Sequence, residues 1–303
     1  MGKRTKVCIT IDTEADAADN PRSTYLGIRI AVPKLLRLFQ EYGVKATFFV
    51  QEDGVCHAGS LFAGLWRACE KEGHEIGYHA HGIIGYPLQQ QEAIIGHGLD
   101  TLRGLGLDPV SYRGGRFHLT GPLLEILEKH HIRYDSSVVP GLRELFQDGT
   151  ERCNHSGAPR EPYFPSYHDH TKAGGSRILE LPINRYDKHP TEMWGGILTC
   201  RSKDVVLFDY FHEIKKNEFI VALTHSWEGL SFKIRKTVRK QRYGKLKKAS
   251  LESVRKLFTP EFLTNGTYFR QLENFLGYIA AKPDVRFTTI REAGQNATGA
   301  SPD

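Results

Sequence analysis

Short β-branched runs alternate with stretches of helical apolar spacing from one end of this 303-residue chain to the other. That alternation restricts the available architectures more than any other feature. Val7–Ile11, Ala46–Val50, Glu75–Tyr78, Val110–Tyr112, Ile132–Tyr134, Ile178–Pro182, Phe219–Leu223 and Val285–Ile290 read as strands. Helical spacing falls between them near Ile30–Tyr42, Leu61–Lys71, Gln90–Leu105, Gly121–His130, Asp204–Lys216 and Pro260–Ala281. About seven βα units with nearly continuous apolar strands imply an α/β fold whose parallel sheet is covered on both faces. This many units in one chain favour a closed or nearly closed barrel over an open sheet. The expected domain spans residues 1–293 and carries a basic insertion at about 230–250. Residues 294–303 (GQNATGASPD) are small and polar and read as a flexible tail.

Composition excludes more than it assigns. With 40% hydrophobic and 25% charged residues, the chain is neither disordered, collagen-like nor a coiled coil. The cysteines at 8, 56, 69, 153 and 200 include no CxxC and read as reduced thiols. No run approaches the ~18 apolar residues of a membrane span. The start, MGKRTKVCITID, passes from basic residues straight into a strand, without the apolar region of a signal peptide. A cytoplasmic protein is the expectation. Charge is uneven: residues 233–248 hold nine Lys/Arg and no acid, against a net charge of +6 for the whole chain. This segment is where a phosphate group or anionic lipid would be met, the latter at the inner membrane face, with Ile234, Val238 and Leu246 as a thin apolar stripe. A solvated helix or loop is the competing reading. No nucleic-acid-reading motif accompanies the charge.

Polar residues gather at strand ends, where α/β barrels carry their chemistry. Asp12 and Glu14 follow the first strand at i and i+2 and point the same way, as a ligand-binding pair or as part of a solvated acidic loop with Asp16 and Asp19. His79 and His81 have the same spacing after Glu75–Tyr78, and with a carboxylate they form a divalent-ion donor set. His74-Glu75 and His79 miss the H-E-x-x-H spacing by one residue, which excludes a helical zinc-protease site. Tyr112-Arg113-Gly-Gly-Arg116 reads either as an arginine orienting a carboxylate beside a ligand-hugging turn or as a tight turn with a surface arginine. Thr224-His225-Ser-Trp227-Glu228 offers a general acid in His225. GxSxG, GxxxxGK[ST] and GxGxxG motifs are absent.

The ordered set ITIDTE, GVKATFFV, GHEIGYHAH, YRGGRF, LTHSWE and VRFTTIREA resembles the polysaccharide deacetylase family, the NodB-homology carbohydrate esterases of family 4 type, over residues 9 to about 293. The resemblance implies a distorted (β/α)7-type barrel and a metal-dependent hydrolase that removes an N-acetyl group from a sugar. It casts Asp12 as catalytic base, Glu14, His79 and His81 as ligands of one divalent ion (zinc, with cobalt, nickel or iron as alternatives), and Arg113 as holder of the base. His225 becomes the general acid, Asp135 an orienting carboxylate, the backbone near Arg116 an oxyanion donor, and Trp227 a sugar-stacking ring. The family's usual second histidine lies four residues after the first, where this chain has Ile83; His81 takes that role, with His57 and His97 as substitutes. Thr13 stands where many members place a metal aspartate. The expected substrate is a nucleotide-linked, lipid-linked or small N-acetylated glycan precursor of cytoplasmic biosynthesis. A formamido-sugar deformylase and an inactive, glycan-binding or anion-binding barrel are the alternatives.

Overall fold

The computed structural model describes residues 4–16, 25–51, 60–184, 219–231 and 264–298. Elements are numbered within those residues. The strands are β1 (Thr5–Thr13), β2 (Ala46–Val50), β3 (Glu75–Ala80), β4 (Ser111–Gly114), β5 (Tyr134–Asp135), β6 (Arg143–Leu145), β7 (Glu151–Asn154), β8 (Leu179–Glu180), β9 (Phe219–His225) and β10 (Val285–Phe287). The helices are α1 (Val32–Glu41), α2 (Ser60–Lys71), α3 (Leu88–Gly104), α4 (Gly121–Lys129), α5 (Gly266–Ala280) and α6 (Ile290–Thr298).

β9, β1, β2, β3, β4, β5 and β8 pair in that order, all parallel. β10 pairs with Thr5–Val7, ahead of the stretch Ile9–Thr13 that pairs with β2. The ends of the sheet meet at Asn184, just past β8. Its backbone N–H donates to Val221 O at 3.1 Å, and its Oδ1 accepts from Val221 N at 2.6 Å. The expected distorted (β/α)7-type barrel is what the chain forms.

Strand alternation splits the core into two layers. Val7, Ile9 and Ile11 face outward and pack with helix residues such as Leu35, Phe39 and Trp66. Cys8, Phe49, Leu179, Val221 and Leu223 fill the interior. Trp66 is fully buried, so truncation to alanine should cost about 3–5 kcal/mol. The described cysteines, Cys8, Cys69 and Cys153, are buried free thiols. Burial pushes the Cys69 and Cys153 thiols up to about 12, keeping them unreactive.

Two expectations need correction. Residues 294–298 are not frayed, because they complete α6. Thr289 Oγ1 accepts from Glu292 N at 3.2 Å and the Glu292 carboxylate accepts from Thr289 N at 3.5 Å, a capping box inside the segment read as strand. The last strand therefore stops at Phe287 instead of Ile290. Ile290 and Ala293 join the interior layer, and Gly294 lies against the Tyr134 ring with no room for a side chain. The second correction is an addition: β6 and β7 form an antiparallel hairpin that no sequence pattern announced. The helix expected at Asp204–Lys216, residues 260–263 of the long helical pattern, Cys56, His57, Cys200 and the basic segment 233–248 lie outside the described residues.

Candidate active site and metal centre

Parallel register brings the strand-end residues together. Asp12 stands opposite His225 across β1 and β9, and His79 opposite Arg113 across β3 and β4. Thr10 and Asp12 share a face of β1, and Arg113 reaches both from β4.

Arg113 is completely buried, so its charge must be met inside the protein. Nη1 donates to Asp12 Oδ1 and to Thr10 Oγ1, both at 2.8 Å. Nε donates to Ser136 O at 2.7 Å and Nη2 to Ser136 Oγ at 2.9 Å. The guanidinium carbon sits 4.2 Å from the Phe49 ring centroid. Asp12 is thus locked through Oδ1, while Oδ2 faces His225 Nε2 at 3.9 Å.

Glu14, one residue beyond β1, extends toward β3. Its Oε2 lies 2.7 Å from His81 Nε2 and 3.7 Å from His79 Nε2. His79 Nδ1 lies 2.9 Å from Arg113 O, which can only accept, so Nδ1 carries a proton and Nε2 is the ring nitrogen turned toward Glu14. Among the described residues, Glu14, His79 and His81 are the one group of three or more potential metal donors within 4.8 Å of one another. One carboxylate and two imidazole nitrogens, one imidazole braced from behind by a carbonyl, fit a divalent metal with positions left for water and substrate. Burial opposes the charge on Glu14, yet interactions with His79 and His81 hold its carboxyl well below the usual range. His81, not the residue four after His79 (Ile83), meets Glu14, while His97 stands exposed on α3.

His225 ends β9. Its Nδ1 lies 2.7 Å from Glu228 Oε1, which also accepts from the His225 backbone N–H at 3.0 Å. Burial disfavours its charge, but the Glu228 hydrogen bond and the carboxylates of Glu14, Glu228 and Asp12 outweigh burial and push His225 up to about 9. Trp227 stacks on His225, centroids 4.9 Å apart, and its Nε1–H donates to Glu14 Oε1 at 2.9 Å.

Arg116 and Phe117 both adopt left-handed backbone, φ 56° and 59°, in the turn after β4. Two successive non-glycine residues in this conformation store about 1–3 kcal/mol each and mark a shaped loop. Gly115 lies under His81: an added Cβ would come within 2.7 Å of that ring. Asp135 is not brought into hydrogen-bonding contact with His225; its carboxylate takes Ser137 Oγ at 2.7 Å, and Ser137 Oγ takes Gly114 N at 2.8 Å. Burial raises Asp135, and burial with the neighbouring Asp135 charge raises Glu180 well above the usual range, so the adjacent pair holds protons readily. The orienting carboxylate on His225 is Glu228, which sequence reasoning missed; its i+3 spacing from His225 was the available signal. Ser136 and Glu180 carried no signal beyond lying on or next to strands.

The barrel and the carboxylate–histidine–arginine constellation define a class. Residues 3–96 match the polysaccharide deacetylase family model. The resemblance to the polysaccharide deacetylase family therefore holds in sequence over those residues. A peptidoglycan deacetylase from Helicobacter pylori is 25% identical over 154 residues, which cover 46% of this chain and 51% of that protein. The match thus spans about half the length of this curated relative. A solved structure described as a polysaccharide deacetylase from Mycobacterium smegmatis superposes with a TM-score of 0.65 at 17% identity, covering 100% of this chain and 93% of that one. PuuE allantoinase superposes with 0.63 at 15% identity, covering 99% and 93%. At these identities the structures speak for the fold alone, and the fold accommodates more than one named activity. No described helix is long and apolar enough to cross a membrane.

Proposed function

We propose that this protein is a metal-dependent N-deacetylase acting on an N-acetylated saccharide. The observation that carries the reading is the convergence of Glu14, His79 and His81 beside the Asp12–Arg113 pair and His225. The family match over residues 3–96 supports the same class of activity. Glu14, His79 and His81 would hold a divalent ion, zinc in our assignment. When bound, such an ion polarises an acyl carbonyl and lowers the pKa of water.

The remaining roles belong to the chain. Asp12, paired through Oδ1 with Arg113 at 2.8 Å, accepts a proton from the attacking water through Oδ2. His225, with Nδ1 anchored on Glu228, presents Nε2 as the atom that delivers a proton to the departing amine. The backbone of the strained Arg116 turn supplies hydrogen-bond donors to the acyl oxygen as negative charge develops there. Water and amide leave as a carboxylate and an amine. A phosphate-bearing carrier on the sugar, whether a nucleotide or a lipid, agrees with the nine Lys/Arg of residues 233–248 and completes the proposed substrate.

The test is acetate release from N-acetylated oligosaccharides and nucleotide-linked N-acetyl sugars, with metal content measured in parallel. Activity should vanish with chelator, return with zinc, and fall about 10²–10⁴-fold in Asp12→Asn. A metal-loaded protein that releases no acyl group from any of these substrates would overturn the proposal.

A further inference from the structure

Glu14 lies outside the strand ladder, since β1 ends at Thr13, so backbone pairing does not fix its carboxylate. A ring of contacts does. Asp16, two residues on, accepts from the backbone N–H groups of Leu26 at 2.6 Å and Gly27 at 2.8 Å. Gly27 in turn packs against the turn after β9: an added Cβ there would stand 2.7 Å from Trp227 N. Trp227 closes the ring by donating its indole N–H to Glu14 Oε1 at 2.9 Å.

We propose that Trp227 is a positioning residue for the metal carboxylate, pinning Oε1 of Glu14 so that Oε2 alone faces the ligand histidines. The two oxygens have divided surroundings: Oε2 meets His81 at 2.7 Å and His79 at 3.7 Å, whereas Oε1 meets the indole and lies 4.0 Å from His225. An indole N–H can only donate, so it is compatible with a carboxylate oxygen and with no protonated or cationic partner. Glutamate has one more rotatable bond than aspartate, and a fixed donor removes that freedom before the ion arrives. Trp227 would thereby leave one Glu14 oxygen, Oε2, to face a bound ion together with His79 and His81. The assignment rests on the metal-site reading above.

The test uses Trp227→Phe, which retains a ring to stack on His225 and removes the N–H. Zinc affinity by chelator competition should weaken about 10–100-fold, the usual effect of losing a hydrogen bond behind a ligand. The visible absorption of the cobalt-substituted protein should change in band position and intensity as Glu14 shifts toward two-oxygen binding. Gly27→Ala alters no atom of the site yet crowds the Trp227 backbone, and it should weaken zinc binding in the same direction; it decides the question if Trp227→Phe does not fold. Zinc affinity within about twofold of wild type, with an unchanged cobalt spectrum in a folded variant, overturns the role of Trp227 alone. Wild-type protein that takes up no zinc or cobalt overturns the metal site itself, and this assignment with it.

Discussion

Two histidine clusters stand out among the described residues, and one of them has the makings of a metal site. At the strand ends, His79 and His81 share the Glu14 carboxylate, and their donor atoms converge within 4.8 Å. At the β6–β7 hairpin, His118, His155 and His170 gather with the Asp135, Glu151 and Asp169 charges in reach of His170, but no compact donor set forms. The rings of His155 and His170 lie 5.4 Å apart. Each of the three bonds backbone: His118 to Arg152, His170 to Asn154, and His155 Nδ1 accepts from Val139 N at 2.9 Å. Arg152 and Asn154 both lie on β7, so His118 and His170 serve that strand as pins. Burial first, then neighbouring histidines, pushes His155 down to about 3, and burial leads the lowering of His118 and His170. Where burial outweighs nearby carboxylate charge, the charged form of a histidine is disfavoured; where two imidazoles close on one carboxylate, a donor set forms.

The widest separation between the clusters should appear in metal content. His79→Ala should reduce bound zinc from about one ion per chain to background in elemental analysis, whereas His155→Ala should retain it. Loss of metal in both variants would break the distinction. Next in size is the charge that supports the site. Arg113→Met leaves Asp12 buried without its partner, and stability in urea should drop by about 3–5 kcal/mol. Arg113→Lys should recover only part of that, because an ammonium cannot reproduce the planar fork that reaches Ser136, Thr10 and Asp12 together.

Acid should sharpen the comparison further. The hairpin histidines have folded pKa values below the unfolded value of about 6.5, so the unfolded chain binds more protons as pH falls. The contribution of His155, lowered to about 3, is complete above about pH 6.5 and drains away toward pH 3. His155→Gln keeps an acceptor for Val139 N and should flatten the stability profile between those limits by up to about 1.4 kcal/mol per pH unit. Denaturant titrations across pH would show it, and an unchanged slope would refute it. His225 runs the opposite way: with a folded value of about 9, its stabilising charge is complete below about pH 6.5 and is lost as pH rises through 9. The smallest effect concerns its anchor. In metal-free protein, Glu228→Gln should lower the His225 titration midpoint by about one unit, read by NMR of the imidazole protons.

Strand–helix alternation and the i, i+2 spacings of Asp12/Glu14 and His79/His81 were legible because periodicity is local: it depends on neighbours along the chain. The β-branched stretch around Val7–Ile11 and the helix near Gly121–His130 emerged within a few residues of their expected bounds. The C-terminal segment misled because small residues read as a tail, while Gly294 is small in order to sit against Tyr134. The β6–β7 hairpin was invisible because its strands are short, half-exposed and polar, and it is pinned by histidines from other segments.

Local sequence therefore determined the alternation of strands and helices, the parallel α/β class and the residue types standing at strand ends. Tertiary structure alone decided which of those residues meet. Register set Asp12 against His225, burial forced Arg113 onto Asp12, and the turn after β9 delivered Trp227 to Glu14. Glu14 and Trp227 are 213 positions apart. A pairing of that kind is governed by packing across the barrel, and no local periodicity records it.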